Sequence, residues 1–89
     1  MITTIYTGVF RHDLKMIAKR GWRLFKLYDA IDHICTGKRL PPSFRPHKLK
    51  GEYGGCWECH IEPDWLLVWE VYPDHILLIR TGSHADLFV

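Results

Sequence analysis

His60-Ile61-Glu62-Pro63-Asp64-Trp65 is the stretch that decides the fold, because it joins two strand-like segments. Residues 56–62 alternate between apolar and polar side chains, which is typical of a half-buried strand with His60 on its more polar face. Residues 65–72 are apolar on both faces for most of their length, as in a central strand that helices cover on one face. Pro63-Asp64 interrupts both patterns and predicts the turn between them.

The chain after this hairpin again alternates turn signals with strand-like runs. Pro73-Asp74 predicts a second turn, residues 75–80 predict a third strand, and Thr81-Gly82-Ser83 predicts its end. The tail over residues 83–88 is compatible with a single helical turn. We therefore expect the last three strands to pair in sequence order as a meander.

The chain before the hairpin predicts one strand and two helices. Residues 2–6 alternate and are β-branched, so they predict a short strand. From about Thr7 the apolar residues recur with a helical period, and Gly21 and Gly37 are good terminators for two successive helices. The element order predicts an α+β domain over residues 1–89: a small, antiparallel-rich sheet (strand-helix-helix-strand-strand-strand) packed on a two-helix hairpin.

The composition is that of a small folded protein of 89 residues, 47% hydrophobic and 25% charged. No apolar run approaches the length of a membrane span, and the first residues lack the features of a secretory signal, so we expect a cytoplasmic location. Three cysteines, an odd number, do not make a disulfide framework and are expected to be reduced thiols.

The charge is unevenly distributed along the chain. Residues 1–50 hold eleven Lys and Arg against three Asp, whereas residues 51–89 hold one Arg against seven acids. Residues 38–50, with three prolines and five Lys or Arg, predict a stiff basic loop. Two interpretations stay open: a plain solvated connection, or a loop that grips a phosphate backbone with Arg45, Lys48 and Lys50.

Cys56-Trp57-Glu58-Cys59-His60 matches the spacing of covalent haem attachment, and its two thiols match half a zinc site or a redox pair. In an extended strand, however, positions three apart point to opposite faces, so the thiols should diverge. A second pair of zinc ligands is also missing. We therefore expect no metal and no cofactor.

Ionisable residues cluster near the ends of the predicted strands and of the basic loop: His47, His60, Asp64, Arg80 and His84. If the strands form a meander, these groups can share one concave site. Imidazoles exchange protons near neutral pH, and a guanidinium stabilises a developing phosphorane charge. Such a set suits attack of a ribose 2′-hydroxyl on the adjacent phosphate, which requires RNA rather than DNA.

Three runs together carry a family resemblance: His47-x-Leu49-x-Gly51, residues 60–67 (HIEPDWLL) and residues 80–88 (RTGSHADLF). With them the whole chain resembles a YafQ-type toxin of the RelE/ParE superfamily, the mRNA interferase half of a type II toxin–antitoxin pair. The resemblance implies a RelE-like fold and ribosome-dependent cleavage of mRNA without a metal. It also implies a cognate antitoxin, often in a heterotetramer that binds operator DNA through the antitoxin.

The resemblance assigns roles to residues at the matching positions. It implies that His47, Asp64 and His84 transfer protons, with His60 positioning them or sharing that role. Arg80 would bind the scissile phosphate, and Phe88 would be a supporting aromatic.

One departure concerns Glu58, since family members commonly carry a basic residue at this position. An acid beside His60 would weaken phosphate binding or alter a neighbouring imidazole. The alternative to a nuclease is a non-catalytic binding module, either a gyrase-targeting toxin or an inactive antitoxin-binding protein.

Overall fold

The computed structural model describes residues 2–88, so the predicted domain limits at Met1 and Val89 lie outside the described residues. Its strands are β1 (Thr3–Tyr6), β2 (His47–Lys48), β3 (Trp57–Glu62), β4 (Trp65–Val71) and β5 (His75–Gly82). Its α-helices are α1 (Gly8–Lys19), α2 (Leu24–Thr36) and α3 (His84–Leu87). Single 3₁₀ turns cover Pro42–Phe44 and Gly51–Tyr53.

The five strands form one mixed sheet in the order β1-β5-β4-β3-β2. β2 through β5 pair antiparallel with their sequence neighbours, and β1 joins β5 in parallel. The predicted α+β class and the C-terminal meander are therefore confirmed. The predicted element order missed β2, which lies in the segment predicted as a loop; a strand of two residues is too short to show alternation.

The helix boundaries follow from local chemistry. The Thr7 hydroxyl accepts a hydrogen bond from the backbone N–H of Phe10 at 3.1 Å, so Thr7 caps α1. Gly21 and Gly37 have φ values of 77° and 75°, the left-handed conformation that glycine adopts most readily. Trp22 lies before α2, and its ring packs on that of Trp65 with centroids 5.1 Å apart.

The two faces of the sheet carry separate apolar clusters. On one face, α1 and α2 bury Phe10, Ile17, Leu27 and Ile31 against side chains from β3, β4 and β5. On the other face, a smaller cluster is covered by α3 and the Gly51–Tyr53 turn; its buried members are Cys56, Leu66, Val68 and Leu87. This second face carries the candidate catalytic residues, and we call it the site face.

Two bulges adjust which side chains reach the site face. Ile61 is an extra residue in β3 and Ile79 an extra residue in β5, as the pairing registers show. Because of the second bulge, Leu78 packs in the helix-covered core, whereas Arg80 lies opposite Val68 of the site face.

Within residues 2–88, none of the helices has the length and apolarity to cross a membrane.

Candidate active site

Cross-strand pairing places four residues in one row across the site face. His47 of β2 lies opposite Glu58 of β3, Glu58 opposite Val68 of β4, and Val68 opposite Arg80 of β5. Neighbouring strands are about 4.8 Å apart, so the row spans about 14 Å from His47 to Arg80. The row has an imidazole at one end and a guanidinium at the other, and its two middle members, Glu58 and Val68, are buried.

His60 begins the next row, which continues through Leu66 to Gly82. Its ring centroid lies 5.6 Å from that of His84, the first residue of α3. His60 and His47 are diagonal neighbours on paired strands, a relationship that separates Cα atoms by about 7–8 Å. The three imidazoles therefore share one region of the site face, as the sequence predicts.

The closest pair in the site is His84 with Asp64. The Nδ1 atom of His84 lies 2.6 Å from Oδ1 of Asp64, and the same oxygen accepts the backbone N–H of His84 at 2.9 Å. These backbone and side-chain hydrogen bonds lower the pKa of Asp64 below its usual value. An ionised carboxylate only accepts, so Nδ1 of His84 carries the hydrogen and its Nε2 is left for substrate.

The first turn of α3 is fixed by a capping box. The Ser83 hydroxyl accepts from the backbone N–H of Asp86 at 3.1 Å, and the Asp86 carboxylate accepts from the backbone N–H of Ser83 at 2.8 Å. The Asp86 carboxylate also accepts hydrogen bonds from Nη1 and Nη2 of Arg20 at 2.6 and 2.9 Å. These bonds are the main reason that the pKa of Asp86 is lowered. The start of α3, and with it His84, is thereby held to the end of α1.

Arg80 is anchored by two side chains, those of Asp13 and Tyr53. Its Nε and Nη2 atoms donate to the buried carboxylate of Asp13 on α1 at 2.8 and 3.2 Å, and its Nη1 donates to the Tyr53 hydroxyl at 3.3 Å. Asp13 also accepts the backbone N–H of Thr81 at 3.1 Å. The hydrogen bond to Asp13 is the main reason that the pKa of Arg80 is raised, so the guanidinium is a fixed cation. The Phe88 ring packs edge-on against Tyr53, with centroids 5.9 Å apart.

His47 is held by acceptors at both ring nitrogens. Its Nδ1 lies 2.8 Å from the backbone carbonyl of Arg45, and its Nε2 lies 3.3 Å from Oε1 of Glu58. Glu58 shares the site face with His60, as the alternation predicts, but it is only 5% exposed. It is covered because the second apolar cluster and the Gly51–Tyr53 turn pack over this part of the face.

The basic loop contributes to the site unevenly. Arg45 lines a cavity of about 340 Å³ together with His60, Phe44 and the turn after β3. Lys48 points to the opposite face, where its Nζ lies 5.7 Å from the Trp57 ring centroid. Lys50 is exposed just before the Gly51–Tyr53 turn. The side chain of Lys48, which the sequence predicts to contact RNA, therefore lies on the opposite side of the sheet from the imidazoles.

The cysteines diverge as the strand pattern predicts. Cys56 packs on the site face and Cys59 in the helix-covered core, and all three cysteines are free thiols. Burial raises the pKa of Cys59 to about 12, which keeps it protonated at neutral pH. Over residues 2–88, no group of three or more His, Cys, Asp or Glu side chains is arranged to hold a metal ion.

Sequence reasoning missed two residues of the site, Asp13 and Tyr53. Asp13 had a usable signal, because it falls on the apolar stripe of α1 between Phe10 and Ile17, where an acid needs a buried partner. Tyr53 had none, since its place depends on a short 3₁₀ turn within a region rich in glycine.

Comparison with known proteins agrees with this geometry. The family model for YafQ, a bacterial toxin of type II toxin–antitoxin systems, matches residues 2–89. Over 84 residues the chain is 32% identical to the mRNA interferase toxin YafQ of Escherichia coli K12, covering 93% of this chain and 91% of that protein.

Two solved structures extend the likeness to the fold. A metal-bound toxin from Helicobacter pylori is 37% identical with a TM-score of 0.92, covering 99% of this chain and 100% of that one. The match in the crystal structure of the E. coli DinJ–YafQ toxin–antitoxin complex is 30% identical with a TM-score of 0.90, covering 99% of this chain and 98% of that one. The predicted resemblance and the predicted class of enzyme, an mRNA interferase, are confirmed. The chain belongs to the YafQ family of bacterial toxins of type II toxin–antitoxin systems.

Proposed function

We propose that this toxin cleaves mRNA by acid–base catalysis in which the ribose 2′-hydroxyl attacks the adjacent phosphate. The observation that carries the proposal is the His84–Asp64 pair at 2.6 Å, on the same face as His47, His60 and Arg80. The P–O5′ bond breaks as the O2′–P bond forms. The products are a 2′,3′-cyclic phosphate and a 5′-hydroxyl end.

His84 is the general base of this scheme. Because Asp64 holds the Nδ1–H of His84, the Nε2 atom keeps a lone pair for the 2′-hydroxyl proton when the ring is neutral. The backbone bond from His84 to the same carboxylate oxygen fixes the direction of the ring relative to α3. This is the arrangement by which an acid orients a catalytic imidazole in other enzymes.

His47 is the general acid and protonates the leaving 5′-oxygen. Its Nδ1 is held by a backbone carbonyl, so Nε2, which faces a side chain, is the nitrogen that can reach the leaving oxygen. His60 lies between the other two imidazoles and contacts the ribose or phosphate between them. Arg80 neutralises charge on the phosphorane from its anchored position beside Asp13. Phe88, 46% exposed, offers a ring for base stacking.

The proposed substrate is mRNA in the ribosome, and the proposed regulator is a cognate antitoxin. The E. coli relative is found in a complex with its antitoxin DinJ, which supports an antitoxin partner here. We propose a heterotetramer that binds operator DNA through the antitoxin, and a cytoplasmic location, where ribosomes translate. Arg45 supplies positive charge beside His60, and Lys50 adds charge at the exposed start of the Gly51–Tyr53 turn. Lys48 would contact RNA or the ribosome from the other side of the edge strand.

The test uses wild-type protein and His84→Ala expressed in cells and added to a translating extract, with RNA ends mapped by sequencing. Glu70→Gln is a matched control, because Glu70 follows Val68 on the same strand but bonds the Tyr72 hydroxyl at 2.6 Å. Since the similar H. pylori toxin is metal-bound, each reaction is run with and without a chelator. We expect His84→Ala to lose about 10²–10⁴ in cleavage rate and Glu70→Gln to match wild type.

Three outcomes would overturn the proposal. Cleavage that is abolished by the chelator would indicate metal chemistry instead. Growth arrest with intact mRNA would indicate a different target, such as gyrase. Cleavage of naked mRNA at the same rate as in programmed ribosomes would remove the ribosome from the mechanism.

A further inference from the structure

Two buried polar atoms on β3 lack a hydrogen-bond partner among residues 2–88. They are Oε2 of Glu58 and Nδ1 of His60, two residues apart on the site face of one strand. Buried polar atoms are nearly always satisfied, so two neighbouring exceptions indicate a site rather than a packing element. The roles proposed above for the other residues of the site leave the buried carboxylate of Glu58 without one.

We propose that Glu58 is a positioning residue that holds His47 as the proton donor of the cleavage reaction. This inference rests on the proposed function. Glu58 reaches His47 through a direct cross-strand pair, with Oε1 3.3 Å from Nε2. The Arg45 carbonyl occupies Nδ1 at 2.8 Å, so the carboxylate faces the one nitrogen that is left for the reaction.

The two contact distances of His47 indicate which of its ring hydrogens is transferred to the leaving oxygen. The Nδ1 contact is short and made to a fixed backbone carbonyl, whereas the Nε2 contact is longer and made to a side chain. A leaving 5′-oxygen can therefore replace Glu58 at Nε2 and take its hydrogen. His47 is then left neutral, His84 is left with the proton from the 2′-hydroxyl, and exchange with water restores both.

Burial makes the carboxylate effective. The Glu58 side chain is 6% exposed while that of His47 is 48% exposed, so the acid is shielded and the imidazole faces substrate. His47 is the charged group in contact with Glu58, and apolar Val68 of β4 is its cross-strand neighbour on the other side. His60 lies two residues along the same face of β3, and Arg80 ends the same row two strands away.

A leaving-group test separates this role from a structural one. The linkage that wild type cleaves in a ribosome-bound mRNA is mapped, and a second message carries sulfur in place of its bridging 5′-oxygen. A thiolate leaves without protonation, so a defect in the general acid disappears on this message and a defect in the base does not. The variants are Glu58→Gln, His47→Ala and His84→Ala, and the matched control is Glu62→Gln, whose carboxylate pairs with Lys26 at 2.9 Å.

We expect Glu58→Gln to slow cleavage of the oxygen message about tenfold, part of the 10²–10⁴ that an acid supplies, and to cleave the sulfur message at the wild-type rate. His47→Ala should follow the same pattern more strongly, and Glu62→Gln should match wild type on both messages. The ratio of the two rates is measured within one variant, so partial unfolding cancels.

Equal slowing of Glu58→Gln on both messages would overturn the inference and leave a structural role. Wild-type rates on both would overturn it as well. In either case the proposed function stands if His84→Ala loses cleavage of both messages. If His84→Ala cleaves both messages normally, the proposed function itself fails.

Discussion

Replacement of Asp13 by Asn should destabilise the protein strongly although the side chain changes by one atom. Asp13 is 7% exposed and accepts two hydrogen bonds from Arg80 and one from the backbone N–H of Thr81. Beyond Leu78, which pairs with Tyr6, β5 no longer has β1 beside it. The Asp13 carboxylate on α1 therefore accepts a backbone N–H from the unpaired edge of β5, and it also fixes Arg80.

The magnitude follows from the charge that is left behind. Loss of one partner of a buried ion pair costs about 3–5 kcal/mol, and the Arg80 side chain is 21% exposed, so we expect a value near the lower limit, about 3 kcal/mol. A domain of this size loses about 4–8 °C per kcal/mol, so the midpoint of thermal unfolding should fall by about 12–24 °C. The free energy of unfolding is measured by urea denaturation with tryptophan fluorescence.

Asp29→Asn on the exposed side of α2 is the control, since its side chain is 66% exposed and its carboxylate is 3.8 Å from His33. It should change the free energy of unfolding by less than about 0.5 kcal/mol. Arg80→Met combined with Asp13→Asn should cost less than the two single changes together, by about 1–2 kcal/mol. If Asp13→Asn unfolds like wild type, or if the two changes are additive, the pair does not hold α1 to β5.

Three further changes test the parts that surround the site. Thr81→Val removes the buried acceptor of the Trp65 indole N–H at 2.9 Å, and should cost about 2 kcal/mol in urea denaturation. Gly82→Ala should lower both stability and cleavage, because a Cβ would lie 2.8 Å from the Asp86 carboxylate and φ is 153°; a crystal structure would show α3 displaced. The pKa of Asp86 is lowered mainly by its hydrogen bonds to Arg20, so its stabilisation is fully present above about pH 4 and is lost progressively as the pH falls through the lowered pKa. The difference in the free energy of unfolding between wild type and Asp86→Asn should therefore be largest at pH 7 and shrink steadily below about pH 4.

Most of the fold was predictable because it follows from short-range patterns. The alternation in residues 56–62, the apolar run in 65–72 and the turns at proline determine the meander without reference to distant contacts. Gly21 and Gly37 mark helix ends for a local reason, their left-handed backbone. The strand β2 was not predictable in this way, since its two residues become a strand only by pairing with β3.

The residues of the candidate site could be proposed from the sequence, but their pairings could not. Nothing near Asp64 in the sequence indicates that its carboxylate accepts two bonds from His84, twenty residues later. The burial of Glu58 was not predicted, for a similar reason. Alternation places it on the less apolar face of β3, but the cover over that face comes from α3 and from Tyr53, which no periodicity connects to β3.

Ion pairs in the fold partly neutralise the charge asymmetry of the sequence, and the cations that stay unpaired are the ones available to bind RNA. Ion pairs join the basic half to the acidic half at Arg20–Asp86 and Lys26–Glu62, so those cations are committed within the protein. The five basic residues of 38–50 form no ion pair with any residue from 2 to 88. Among residues 2–88, Arg11, Lys15, Lys19 and Arg23 of the helical region also form no ion pair, but the cations of the loop lie on the segment that delivers His47. Since each phosphate contact releases counterions, weakening of RNA binding by salt should depend on this loop far more than on the lysines and arginines of the helices.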